Sequence, residues 1–460
     1  MEEVKARPIG PAENKMGVMP IMKLILNMSL PMMFSMLIMA LYNIVDSIFV
    51  AKISEDALTA VSLAFPIQNL MISFAVGTGV GVNALLSKRL GQHNQEDVNK
   101  TAMNAVFLAA CNFIVFFIAG LILVRPYLAS QGVDATIVTY GEEYLNIVLS
   151  MSFALFFGIT FDRLLQSTGL TLYTMYSQLS GAVFNVIFDP LLIFGIGPFP
   201  KMGIRGAALA TVLGQIIGLC VSVFCNLTKN REIQFKLKNI VPEPRIIAEI
   251  YKVGVPSILL SSITSVTTYF LNIILSAFSS TAIAVYGVYF KLNSFIFMPV
   301  FGLNNGMVPI IAYNYGAQNR KRITATIRNG LLLAIGIMLF GMALFELFPA
   351  QLLGLFDASP AMLAIGVPAI RIIACSFIGA ALGITFSSVF QAFGSAVYSM
   401  IATFVRQIVA LLPAAYLLSL TGDVNAIWWS YLIAEVVSII ACLFFMHRIY
   451  KKKIAPMPMN

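Results

Sequence analysis

The chain repeats itself. When the sequence is displaced by 225 positions against itself, Pro31 falls on Pro256, Ile38 on Ile263, Ala57 on Ala282 and Phe65 on Phe290. Gly77, Gly81 and Gly91 then fall on Gly302, Gly306 and Gly316, and Asn104, Leu108 and Ala109 on Asn329, Leu333 and Ala334. Without a gap, the same displacement carries Gly158-Ile159-Thr160-Phe161 onto Gly383-Ile384-Thr385-Phe386, and Gln166 and Gly169 onto Gln391 and Gly394. A fixed offset held over that length means two homologous halves, and a fold proposed for one must serve the other.

Composition decides what each half is made of. Of 460 residues, 59% are hydrophobic and 11% charged, against about 25% charged in soluble globules. The chain therefore reads as a polytopic membrane protein. Apolar runs of about 20 residues or more lie near 24–50, 57–87, 101–124, 138–161, 171–194 and 204–227, then near 253–277, 282–313, 326–348, 365–391, 396–419 and 425–447. The expected fold is all-α, with twelve transmembrane helices in two pseudo-symmetric six-helix lobes. Six helices per repeat bring both repeats into the membrane from the same side, so their pseudo-twofold axis runs along the membrane normal. The expected division is a polar segment 1–23, an N-lobe 24–227, a linker 228–252, a C-lobe 253–447 and a basic tail 448–460. The first apolar run, about 25 residues without a small-residue cleavage site, reads as a span and not as a signal peptide.

Basic residues set the orientation. With both termini inside, the cytoplasmic side receives 22 Lys and Arg, including Lys5, Arg7, Lys88, Arg89, Arg163, Lys238, Arg322 and Lys451 to Lys453, and the outside receives only Lys52, Arg125, Lys201 and Arg205. The positive-inside rule thus predicts cytoplasmic termini. It also accounts for the net charge of +9 without a nucleic-acid partner. In the linker, Ile246, Ile247, Ile250 and Tyr251 recur at helical spacing beside Arg245, Glu249 and Lys252, which predicts a short amphipathic helix on the inner leaflet. The stretches from Lys88 to Lys100 and from Tyr313 to Arg328 read as plain cytoplasmic turns. The five cysteines lie in apolar runs without metal-ligand spacing and read as core residues.

Ionisable groups within spans are costly and mark functional candidates. Asp46 and Asp189 lie well inside the first and fifth spans, Glu142 and Glu143 near an outer boundary and Asp162 near an inner one; the second half holds Lys291, Arg371, Arg406 and Glu435. At 1.5 Å per residue, Asp46 and Asp189 share a depth roughly 6 to 8 Å below the outer boundary, and Thr211 lies near that level. Tyr42 precedes Asp46 by one turn and Asn185 precedes Asp189 by one turn, so each pair shares a face. Pro190 frees the carbonyl of Val186 and bends its helix. Two carboxylates, an amide and a hydroxyl form a hard oxygen set suited to H⁺ or Na⁺, with Asp46, Asn185, Asp189 and Thr211 as the Na⁺ ligands. Two carboxylates held close together cannot easily both ionise. The plainer alternative is that both aspartates are structural, bonded to neighbouring hydroxyls and amides.

The run Asn185-Val186-Ile187-Phe188-Asp189-Pro190-Leu191-Leu192-Ile193-Phe194-Gly195 resembles the fifth-helix motif of the multidrug and toxic compound extrusion (MATE) family. Ser29-Leu30-Pro31 leading to Asp46, Gly203 to Thr211, and Gln166 to Gly169 are similar to that family as well. The resemblance implies a V-shaped antiporter of two lobes that exports organic cations in exchange for H⁺ or Na⁺. It also implies an N-lobe cation site at Asp46, Asn185, Asp189 and Thr211, with Tyr42 beside it. Spans 253–277 and 365–391 contain no Asp or Glu, so the MepA-like and DinF-like bacterial branches fit better than the branch with acids there.

No enzyme pattern competes: the two histidines are His93 in a loop and His447 at a span end, and no nucleophile or phosphate-loop motif occurs. The expected partners are a small organic cation and the bilayer, the expected state is a monomer, and no cofactor beyond the coupling ion is expected. An exporter of lipid-linked or polysaccharide precursors is the rival within transport, kept open by Lys291, Arg371 and Arg406; a non-transporting scaffold is the rival outside it. In the C-lobe, the matching depths of Lys291 and Glu435 predict that these two pair, with Arg406 as the fallback partner of Glu435.

Overall fold

A computed structural model describes residues 14–236, 241–356 and 358–458; Lys5, Arg7 and Lys238 lie outside them. Ten helices are long and apolar enough to cross a membrane, and two bent pairs complete twelve spans. In the first half these are α1 (Ile21–Ala51), α2 (Glu55–Gly91), α3 (Gln95–Ala129), α4 (Ala135–Ser150 and Phe153–Ser167), α5 (Thr171–Phe194) and α6 (Ile204–Thr228). In the second half they are α7 (Pro244–Ser276), α8 (Ser280–Gly316), α9 (Arg320–Leu347), α10 (Pro360–Ala374 and Phe377–Ala392), α11 (Ala396–Ser419) and α12 (Val424–Ile454). Among the described residues there is no strand. Leu121, Ile122, Phe340 and Leu347 are among the large apolar side chains left exposed. That exposure would be an aggregation hazard in water and is the expected surface in lipid.

The repeat extends to the local chemistry that starts and stops helices. Ser54 caps α2 by accepting from Ala57 N–H at 3.0 Å, and Ser279 caps α8 by accepting from Ala282 N–H at 3.1 Å. Asn94 and Asn319 cap α3 and α9 in the same way, at 3.1 Å to Asp97 N–H and 3.1 Å to Arg322 N–H. Each such cap removes an unsatisfied helix donor, worth about 1 kcal/mol. His93 and Gln318, one residue before these caps, both take φ of 56°. The breaks in α4 and α10, bent by 45° and 51°, also recur at matching positions.

The lobes meet through α1 against α8 and α2 against α7, and the glycines of the repeat are where they meet. A Cβ on Gly91 would collide with the carbonyl of Tyr313, and one on Gly316 with the carbonyl of Lys88. Gly77 and Gly81 lie against Gly254, Ile258 and Ile250 of α7, and Gly302 and Gly306 against Met33, Met32 and Ser29 of α1. The turns after α2 and α8 are therefore more than plain loops, because their first glycines let two backbones touch. All six glycines lie in the C-terminal halves of α2 and α8, toward the end of the bundle that holds Met16 and Arg322, so the lobes are closed at that end. Arg163, counted above among the cytoplasmic loop residues, is instead buried in the second half of α4. Its Nη1 donates to Gln166 Oε1 at 2.8 Å and to Asn305 Oδ1 of α8 at 3.2 Å, which adds a polar bridge between the lobes.

Two boundaries differ from expectation. The linker helix does not lie flat as a separate element: α7 runs unbroken from Pro244. Ile246 and Ile250 are buried in the core, and Arg89 of α2 reaches Glu249 at 3.1 Å; these contacts hold the apolar face that would otherwise seek lipid. Residues 14–19, ahead of α1, pack against both lobes. Met16 is buried, Arg322 Nη2 donates to the carbonyls of Met16 (3.0 Å) and Met19 (2.8 Å), and Asn14 Nδ2 donates to Thr168 O (3.1 Å) and Glu232 Oε1 (2.8 Å). Residues 14–19 thus form a strap from one lobe to the other.

Candidate functional site in the N-lobe

Helices α1 and α5 pack along each other and bring Asp46 and Asp189 within hydrogen-bonding reach. Asn185 stands one turn before Asp189 on the same face. With its amide turned so that both ends are satisfied, its nitrogen lies 3.0 Å from Asp189 Oδ2 and its oxygen accepts from Thr211 N–H at 3.2 Å across the α5–α6 contact. Asp189, Asn185 and Thr211 are buried, and Asp46 is half-buried. Asp46 Oδ1 is enclosed yet has no hydrogen-bond partner. Tyr42, one turn earlier on α1, faces both acids. The structure therefore gathers the five sequence candidates of this lobe in one place.

It also adds two that sequence reasoning missed. Tyr144 of α4 stands beside both aspartates and within reach of the Thr211 hydroxyl, and its own hydroxyl accepts from Gln68 Nε2 of α2 at 3.1 Å. A glutamine in the middle of an apolar span was the available signal for Gln68. The two neighbouring glutamates are accounted for otherwise: Glu142 pairs with Arg125 at 3.4 Å and Glu143 with Arg205 at 2.7 Å. Buried acceptors outnumber donors around Asp46 and Asp189, so the cluster can hold a proton or small cation shared between the two carboxylates.

A family model described as MatE matches residues 31–191 and, again, 256–417. The chain belongs to the MatE family. The two matches begin 225 residues apart, so the family unit is the repeat itself. The FAD transporter of Shewanella oneidensis is 26% identical over 434 residues, 94% of this chain and 95% of that protein. The multidrug export protein MepA of Staphylococcus haemolyticus is 26% identical over 436 residues, 93% of each chain. A solved structure titled as an outward-facing multidrug resistance MATE family transporter superposes with TM-score 0.90 at 24% identity, covering 96% of this chain and 98% of that one. This MatE protein is thus a multi-pass membrane transporter and not an enzyme.

In the C-lobe of the MatE protein the expected pairing of Lys291 with Glu435 does not form. Glu435 of α12 meets Arg406 of α11, Nη1 to Oε2 at 3.3 Å. Lys291 is exposed, with its ammonium 5.9 Å from the centre of the Phe356 ring. Depth along an idealised helix was the basis for the expected pair, and depth says nothing of which way a side chain faces. The turn Val405–Leu411 is wound as a π-helix, which rotates Arg406 relative to a regular α-helix. Arg371 is also paired, at 3.9 Å from Glu346. An apolar groove of about 470 Å³ between α7 and α11, lined by Phe270, Ile273, Leu412 and Tyr416, carries neither acid nor base.

Proposed function

We propose that this MatE transporter is an antiporter that exports small organic cations, drugs and toxic compounds, across the inner membrane, with its termini cytoplasmic, driven by protons taken up at Asp46 and Asp189. The observation that carries the reading is the pairing of buried Asp189 with half-buried Asp46, whose Oδ1 is enclosed and unpartnered, with Asn185 and Thr211 beside it on α5 and α6. A proton shared by the pair draws α1 onto α5, and its loss leaves two like charges that force α1 away. One ion thereby favours one arrangement of the lobe over another, as alternating access requires. A proton can be held by two carboxylate oxygens alone, whereas a hard cation such as Na⁺ needs a wider set of oxygen ligands, and this supports the proton as the coupling ion. Pairing of Arg406 and Arg371 with acids leaves Lys291 as the one base of the three without an acid partner among the described residues, which speaks against a basic cavity for an anionic lipid-linked cargo.

The test is uptake of a cationic dye by proteoliposomes with pH and Na⁺ gradients imposed separately. A pH gradient alone should drive transport. Transport by a Na⁺ gradient at equal pH would overturn the proton assignment, and no transport under either gradient would overturn the antiport reading.

A further inference from the structure

We propose that Asp162 is a second proton-binding site of the N-lobe, separate from the Asp46–Asp189 pair, with its proton held in a cyclic pair with the side-chain amide of Gln178. Asp162 lies in the second half of α4 and is 7% exposed. Gln178 Nε2 of α5 donates to Asp162 Oδ2 at 3.1 Å. The two remaining oxygens of this pair, Asp162 Oδ1 and Gln178 Oε1, are both enclosed and both lack a partner. They belong to two planar groups already joined by one hydrogen bond, and both are acceptors. A single proton on Oδ1, donated to Oε1, closes the eight-membered ring of a carboxylic acid and an amide and satisfies both atoms at once.

The surrounding donors are engaged elsewhere. The Thr174 hydroxyl donates to the Asp162 carbonyl at 3.3 Å, the Ser177 hydroxyl, which also lies within reach of the Asp162 carboxyl, to Gly218 O at 2.9 Å, and Asn226 Nδ2 of α6 to Phe161 O at 2.9 Å. The ionisable groups whose charge reaches Asp162 are Arg163 on its own helix and the Cys225 thiol of α6, itself near Lys229. Arg163 is turned toward Gln166 and Asn305, and among the described residues Asp162 has no ion-pair partner within 4 Å. An ionised carboxylate left there would lack both a direct ion-pair partner and a full set of donors, which burial penalises heavily. Gln178 and Asp189 share α5 and stand eleven residues apart, about 16 Å along the axis, so the two sites load separately. Asp162 also precedes the arginine that bridges the lobes, which puts this proton next to the contact that closes the terminal end.

The full-length protein in detergent, carrying Asp46→Asn and Asp189→Asn so that the first site is silent, is examined by infrared difference spectroscopy. The expected result is a protonated-carboxyl band at neutral pH that vanishes when Asp162→Asn is added and shifts in frequency with Gln178→Met, which removes the ring partner but keeps the acid. Asp162→Asn should leave the melting temperature unchanged, because its amide reproduces the ring. If Asp162→Asn instead removes a carboxylate band at neutral pH, Asp162 is ionised and a bridging water satisfies the two oxygens, which overturns the proposal. A protonated-carboxyl band insensitive to both substitutions would overturn it as well.

Discussion

At the scale of single residues, the N-lobe acids were legible because a carboxylate within an apolar run is costly enough to need a reason, and helical spacing placed Tyr42 and Asn185 on their faces. Asp46→Asn and Asp189→Asn should each abolish gradient-driven dye export while the protein remains monodisperse in detergent, since an amide mimics the protonated acid but cannot release its proton. Export at the wild-type rate by either variant would separate the two acids functionally. Tyr144 and Gln68 were not legible, because nothing in a one-dimensional sequence distinguishes a tyrosine facing a carboxylate from one filling a core. The C-lobe pair calls for a thermal double-mutant cycle on Arg406→Met and Glu435→Gln. Each should cost roughly 2 kcal/mol, below the about 3–5 of a fully buried pair because Arg406 is partly exposed, and together they should cost much less than their sum. Lys291→Met should lie within about 0.5 kcal/mol of the wild type, as an exposed side chain with only a cation–π contact would.

Elements were predicted best where their signals are local. The lengths of the apolar runs are such a signal, and they place the spans on the helices observed, to within a few residues at most ends. The breaks in α4 and α10 and the merging of the linker helix into α7 were not anticipated, because each depends on what packs against the helix. The π-turn of α11 is the clearest case, as it contains Arg406, the residue that meets Glu435. Deleting Ile408 should restore regular winding and rotate Arg406 by about 100° relative to the residues that follow. The expected loss of thermal stability is at least that of Arg406→Met; a deletion variant as stable as the wild type would show that the turn has no part in the pair.

For the whole molecule, the decisive contacts are backbone against backbone at the glycines shared by the two halves. Gly91 faces Tyr313 and Gly316 faces Lys88, positions that exchange under the 225-residue displacement, so the interface has the same twofold character as the sequence. Gly91→Ala and Gly316→Ala each place a methyl group where a carbonyl already sits, and should cost roughly 1–3 kcal/mol of the closed arrangement. Spin labels on the exposed positions Gln92 and Gln318 should report a longer mean distance in either variant than in the parent. An unchanged distance would mean that the closed end does not depend on these glycines.

The sequence by itself determined the class, the number of spans, the doubling of the fold and the common level of the two N-lobe carboxylates along their helices. Each of these follows from composition, periodicity or self-similarity, which are properties of the chain read along its length. Tertiary structure alone decided that Arg406 and not Lys291 meets Glu435, that Arg163 bridges the lobes, that residues 14–19 strap them together, and that Tyr144 and Gln68 complete the acid cluster. Those outcomes depend on the rotation of one helix against another, and a rotation of a few tens of degrees leaves the hydrophobic pattern of a lipid-embedded helix almost unchanged.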